Sequence, residues 1–145
     1  MKRNVVIVDI DNVISDSRWR EEHLPDFDKF HSLCGQDHPV APVVALVNTL
    51  GLGGGFELIG VTGRNEKWRA ETVSWMLRHG VWIDDILMRP DTDFRPAPEL
   101  KLALVRQRLG DDYMIRERVA FVLDDREDIL GAFRSLGVIG LRVTI

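Results

Sequence analysis

The sequence predicts an α/β fold in which a parallel sheet carries helices on both faces. Three observations lead there. Short apolar runs rich in β-branched residues recur at residues 5–8, 56–61 and 119–123, each too short for a helix. Each run ends in polar residues: Asp9-Ile10-Asp11, Thr62-Gly63-Arg64 and Asp124-Asp125. Between the runs lie segments with helical apolar spacing, and strand–helix alternation of this kind builds parallel sheets. In such sheets ligands bind beyond the carboxyl ends of the strands, which is where the polar endings fall.

The elements follow in order. The first strand covers about residues 4–10. Residues 26–33 predict a short helix, with Phe27, Phe30 and Leu33 at three-residue spacing and Asp26 as N-cap. Pro42 suits the first turn of a helix reaching about Leu50, and the glycine-rich residues 51–55 turn the chain into the second strand. A helix over about 66–79 is closed by Gly80 as a left-handed cap, and residues 83–88 hold a third strand. Residues 90–98 contain three prolines and two aspartates and are expected to be loop. Lys101 opens the amphipathic stretch 100–109, which ends at Gly110. After the strand at 119–123, residues 129–136 predict a helix and 138–143 a last strand.

Composition narrows the class. A chain of 145 residues fits one domain, 1–145, with a sizeable core. The net charge of −4 offers no general attraction for nucleic acid or an anionic membrane, so any polyanion must be met by a local basic patch. One cysteine, Cys34, cannot pair within the chain and suits a reducing compartment. The N-terminal apolar run is cut by Asp9 after four residues, too short for a signal peptide, and no stretch approaches the roughly 20 residues of a membrane span. A cytoplasmic protein without membrane attachment is expected, and no obligate protein partner is evident.

Asp9 and Asp11 are the strongest candidates for chemistry. Two carboxylates this close need a cation or a shared proton, because like charges raise one pKa sharply; a hard divalent ion such as Mg2+ resolves the repulsion. Taken alone, the pair could equally be a strand-end Asp and a helix-capping Asp. The order along the chain, Asp-x-Asp, Thr-Gly-Arg, Lys101, Asp124-Asp125, resembles the haloacid dehalogenase-type (HAD) phosphohydrolase superfamily. The resemblance covers nearly the whole chain and implies a Rossmann-like fold. Residues 15–40 would form at most a short cap-like insertion over the site.

That resemblance implies roles. Asp9 would attack phosphorus and carry an aspartyl-phosphate. Asp11 would be the general acid, then base, and Asp at both positions favours phosphoryl chemistry. Thr62 would hydrogen-bond a phosphoryl oxygen, Gly63 would let the backbone approach, and Lys101 would neutralise charge on Asp9 and the phosphoryl group. Asp124 would hold Mg2+ with Asp9 and the backbone carbonyl of Asp11. Asp125 would bind the metal through water or orient Lys101; Asp128 could be only a first-turn residue complementing a helix dipole. Asn12 stands where the superfamily usually has Gly, and Asn is the other residue that tolerates positive φ.

A finer resemblance is to the phosphatase domain of bacteriophage polynucleotide kinase/3′-phosphatases. It rests on Val61-Thr62-Gly63-Arg64, on Leu87-Met88-Arg89-Pro90 through Asp93-Phe94-Arg95 to Lys101, and on Leu123-Asp124-Asp125-Arg126 with Leu136-Gly137-Val138. It implies substrate-binding arginines at Arg64, Arg89, Arg95 and Arg20, with Arg18 able to replace Arg20 after a small shift. Arginine is the favoured fork for phosphate oxygens, and Trp19, Trp68 and Phe94 are candidates to stack on a base. No Gly-x-x-x-x-Gly-Lys-Ser/Thr loop occurs, so kinase activity is not expected and the chain would act as a stand-alone phosphatase. Three functions stay open: a phosphatase of polynucleotide 3′-ends, a phosphatase of free nucleotides or other small esters, and a non-catalytic binding module. DNA and RNA are not distinguished.

Overall fold

A computed structural model describes residues 2–145. Five parallel strands form the main sheet: β1 (Val5–Val8), β4 (Glu57–Asn65), β5 (Asp85–Arg89), β6 (Val119–Asp124) and β7 (Ile139–Arg142), in the order β5-β4-β1-β6-β7. Two further strands, β2 (Ser15–Asp16) and β3 (His38–Pro39), pair antiparallel. All residues of β1 are buried. Val5 and Ile7 face a core layer with Val105, Ile115 and Phe133, while Val6 and Val8 face another with Val44, Val47 and Trp75. This is why the run lacks polar alternation: a central parallel strand is covered on both sides. Helices α2 (Ala41–Leu52) and α3 (Arg69–Arg78) supply the second layer; α4 (Ala97–Leu109), α5 (Asp112–Arg118) and α6 (Glu127–Arg134) supply the first.

The strand order positions the site. From β1 the chain steps outward through β4 to β5, then returns to β1's other side for β6 and β7. Neighbouring connections therefore diverge at the carboxyl end of β1, and that divergence opens the crevice where α/β sheets bind ligands. Asp9 sits at its floor, its N–H donating to the Leu123 carbonyl at 2.9 Å.

Segment 15–40 folds as an arm. β2 and β3 close it, and α1 (Phe27–Ser32) lies between them with Asp26 capping Lys29 N–H at 3.0 Å. Asn12 carries φ 60°, and its Oδ1 accepts from both N–H and Oγ of Ser17 at 3.0 Å, fastening the arm's entrance. Gly80 takes φ 64° after α3, as its predicted cap role requires.

The structure departs from expectation at β4, α4 and α5. β4 continues through Thr62-Gly63-Arg64 to Asn65 because β5 pairs alongside it as far as Arg89. α4 starts at Ala97, because Pro98 occupies a first-turn position where its missing N–H costs nothing; Lys101 therefore lies in the second turn. Residues 112–118 form α5, which sequence spacing did not reveal, with Asp111 as N-cap accepting from Met114 N–H at 2.9 Å. Among the described residues no helix is long and apolar enough to cross a membrane.

Candidate active site

Four strand ends converge on Asp9. Asp9, Asp124 and Asp125 offer carboxylate oxygens that all lie within 4.8 Å of one another. Lys101 reaches in from α4, its Nζ 2.9 Å from Asp9 and 2.7 Å from Asp124, and is itself buried. One ammonium thus serves two carboxylates, with a third, Asp125, crowded beside them. Burial, together with Asp124 and Asp11, raises the Asp9 pKa well above the ordinary carboxylate value against the pull of Lys101. Asp125 is raised by burial and Asp124. Burial alone would discharge Lys101, but Asp9 and Asp124 keep it charged. This uncompensated negative charge, on hard oxygen donors, fits a divalent cation such as Mg2+.

Asp11 belongs to a separate network. Arg64 points its Nη2 at the Asp11 carboxylate (2.7 Å), with Nε at 3.2 Å, and Arg20 Nη2 lies at 2.6 Å. Burial opposes the charged form of Asp11, yet Arg64 and then Arg20 outweigh it and hold this carboxyl well below the usual range. Both arginines are 0% exposed. Their remaining N–H groups go to protein: Arg64 to Thr72 and Ser15, Arg20 to the Phe30 carbonyl. They hold Asp11 instead of presenting an open fork to the crevice. Arg18 is turned away, paired with Asp16 at 2.7 Å.

Asp37 completes this network. Its buried carboxylate accepts from Arg20 Nε (2.8 Å) and Nη2 (2.7 Å) and from Trp19 Nε1 (2.9 Å), with Arg64 Nη2 at 3.4 Å. Its carbonyl accepts from Trp75 Nε1 at 2.8 Å, tying the arm to the core. Nothing in the sequence marked Asp37 among the many surface acids, since its partners lie 17 and 27 positions away. Asp37→Ala would leave two buried guanidinium groups sharing Asp11. We expect a stability loss of about 3–5 kcal/mol, as for a broken buried pair, measured by urea denaturation. A change below about 1 kcal/mol would show that the network does not hold the arm.

The crevice above Asp9 has a volume of about 670 Å³. Its walls include Gly63, Arg89, Arg95, Lys101 and Arg126, and on the arm side Leu24, Phe27, Phe30 and His31. Arg89 is fixed by three carbonyls, its Nε on Gly63 (3.1 Å) and Nη1 on Asp93 (3.0 Å) and Arg95 (2.7 Å). Arg95 forks onto Asp93, and Arg126 onto Asp128. Asp128 is an exposed first-turn residue of α6, outside the carboxylate cluster. Thr62 is buried, its Oγ1 accepting from Arg64 N–H at 3.1 Å. Of the three aromatic candidates, Phe94 lines the crevice at 88% exposure. Trp19 is committed to Asp37, and Trp68 packs under Lys67. Sequence reasoning did not place Arg126, Phe27, Phe30 or His31 on the crevice wall.

The model of the polynucleotide kinase PNKP phosphatase-domain family matches residues 3–145. The chain belongs to this family of HAD-type phosphatases. Comparison with curated proteins gives no match. Two solved structures of a Pnkp1/Rnl/Hen1 complex, one described as an RNA repair complex, contain chains 24% identical to this one, with TM-scores of 0.82 and 0.81. The matches cover 98% and 96% of this phosphatase chain but only 46% and 42% of those chains. The HAD-hydrolase YfnB from Bacillus subtilis, solved bound to magnesium, is 12% identical with a TM-score of 0.69, covering 97% of this chain and 88% of that one. A hydrolase from Streptococcus pneumoniae TIGR4 matches at 13% identity and TM-score 0.64, over 99% and 94%. At these identities the likeness is one of fold, and it bears out the parallel α/β sheet expected from the strand pattern and the Rossmann-like, HAD-type form implied by the motif resemblance.

Proposed function

We propose that the chain is a Mg2+-dependent phosphomonoesterase that removes 3′-phosphates from polynucleotide ends through an aspartyl-phosphate on Asp9. The observation that carries this is the cluster of Asp9, Asp124 and Asp125, in which the buried Lys101 ammonium pairs with Asp9 and Asp124. Asp9, Asp124 and Asp125, with the Asp11 carbonyl, would hold the cation, which would screen charge between Asp9 and an anionic phosphate.

The chain's own groups do the rest. Asp9 Oδ attacks phosphorus while the bond from phosphorus to the departing sugar oxygen breaks. Lys101, held charged beside Asp9, offsets negative charge gathering there. Thr62 Oγ1 already accepts from Arg64 N–H, so its own proton is free to donate to a phosphoryl oxygen. Asp11, ionised at rest, takes up the proton that a monoanionic ester brings and gives it to the departing oxygen, then takes one from the water that hydrolyses the aspartyl-phosphate. In this role Arg64 and Arg20 position Asp11, while Arg89, Arg95 and Arg126 are the cations left to meet further phosphates of a longer substrate. One matched chain comes from a complex described as an RNA repair complex, which supports an RNA end as the substrate.

The test is a paired kcat/KM measurement on a 3′-phosphorylated oligonucleotide and its terminal 3′-mononucleotide, with Mg2+ and with excess chelator. The oligonucleotide should be the better substrate. One extra charge-assisted hydrogen bond contributes on the order of 1.5–3 kcal/mol, roughly tenfold or more. Moderate salt should erode the advantage, and Arg89→Ala should narrow it more than it lowers the mononucleotide rate. Chelation should silence both substrates and Mg2+ restore them. Equal efficiency, or preference for the mononucleotide, would point to a small-nucleotide phosphatase, and full activity in chelator would remove the metal from the reaction.

A further inference from the structure

His31 is buried to 7% exposure, yet it belongs to the wall of the crevice. It stands on α1, edge-on to Phe30 with ring centroids 5.0 Å apart and tilted against Phe27 at 6.3 Å. Phe30 in turn lies under the Arg20 guanidinium at 4.2 Å, so the ring's place is set by the same network that holds Asp11. Despite this packing, His31 Nδ1 is buried with no hydrogen-bond partner, one of two such side-chain atoms among the described residues. The other, Trp68 Nε1, is not on the crevice wall. Buried imidazole nitrogens without partners are rare, because an unmet polar group costs free energy until something arrives to meet it. Nδ1 itself is sealed; Nε2 has no protein partner among the described residues either and is not sealed, so Nε2 is the nitrogen that a partner entering through the crevice can meet.

The chemistry of that partner follows from position and charge. Asp11 and His31 line the same crevice, and Arg20 links them, its Nη2 2.6 Å from Asp11 and its guanidinium over the Phe30 ring that His31 meets edge-on. In the proposed reaction the departing sugar oxygen sits at Asp11, which puts the sugar carbon next to it on the side of the crevice that His31 lines. In a ribonucleoside 3′-phosphate this carbon bears the 2′-hydroxyl; in a deoxyribonucleoside it bears only hydrogen. We infer that His31 is a specificity-determining residue that hydrogen-bonds the 2′-hydroxyl of the terminal nucleotide and so favours RNA 3′-phosphates over DNA 3′-phosphates. This inference rests on the proposed 3′-phosphatase activity. Burial pushes the imidazole down to about 4, so it is neutral at working pH. A neutral ring has one donor and one acceptor nitrogen, which suits a hydroxyl better than a phosphate anion.

The experiment compares two oligonucleotides of one sequence, each 3′-phosphorylated, with either a ribose or a deoxyribose at the last position. The wild-type protein should prefer the ribose terminus by roughly three- to tenfold in kcat/KM, the worth of one neutral hydrogen bond. His31→Phe keeps a ring against Phe30 but removes both nitrogens; it should lower the ribose rate several-fold more than the deoxyribose rate, so that the two converge. His31→Gln, able to donate and accept, should restore part of the preference. Equal rates for the wild type on both termini would overturn the inference while leaving 3′-phosphatase activity intact. A His31→Phe protein that loses activity on both termini in the same proportion would also overturn it, by showing a packing role. Hydrolysis of mononucleotides with no action on either oligonucleotide would overturn the inference together with the activity on which it rests.

Discussion

Asp9→Asn should abolish turnover while the protein stays folded. The amide has nearly the carboxylate's shape but no nucleophilic oxygen, so the covalent route through Asp9 closes. Losses of about 10⁴–10⁶ in kcat are usual when a nucleophile is removed. The stability side is equally specific. Asp9 is one of three crowded carboxylates whose burial and mutual repulsion raise its proton affinity, so a neutral amide removes repulsion at that point. Lys101 loses one partner but keeps Asp124 at 2.7 Å. The melting temperature should therefore hold or rise while turnover on a 3′-phosphorylated oligonucleotide disappears. Turnover within an order of magnitude of the wild type would exclude Asp9 as nucleophile. A large drop in melting temperature would mean that Asp9 serves mainly as counterion to Lys101.

The split between what the sequence disclosed and what it hid follows the same physics. The sheet was legible because central parallel strands are buried on both faces, and this leaves unbroken runs such as Val5-Val6-Ile7-Val8. Asp9 and Asp124 were legible as candidates because strand ends are local features, whereas Lys101, on α4, was legible only through its place in the order of motifs. The Asp11 network was only half legible. Arg20 and Arg64 could be picked as arginines near the site, but the direction of a guanidinium depends on which buried acid competes for it. That acid, Asp37, is brought in by an arm whose course no periodicity encodes. His31 was hidden for the same reason: a single histidine on a six-residue helix carries no signal of facing a crevice. The α5 helix did carry one, in Asp111 ahead of Tyr113, Met114 and Ile115, but two turns give too short a pattern to stand out.

Asp11→Asn should slow hydrolysis according to how much help the departing oxygen needs. In the resting protein Arg64 and Arg20 keep Asp11 ionised despite its burial. It is thus ready to act as base on water, but it must gain a proton before it can act as acid. An arriving phosphate supplies the means: its negative charge raises the proton affinity of the neighbouring carboxylate, and a monoanionic ester brings a proton of its own. Asparagine can do neither job. For a nucleoside 3′-phosphate, whose departing oxygen is a poor leaving group, the loss should be about 10²–10⁴-fold, the usual range for general acid–base help. An aryl phosphate with a good leaving group needs little protonation, so phosphorylation of Asp9 should proceed at a much smaller penalty. The second half-reaction still lacks its base, so aspartyl-phosphate should accumulate with the aryl substrate and be visible as a burst and as added mass on the protein. Removing the Asp11 charge also leaves Arg64 and Arg20 with Asp37 as their remaining carboxylate, so some loss of stability should accompany the kinetic effect. Equal rate losses on activated and unactivated esters, with no trapped phosphoenzyme, would assign Asp11 to holding the arm and its arginines and would move the acid–base role to another group on the crevice wall.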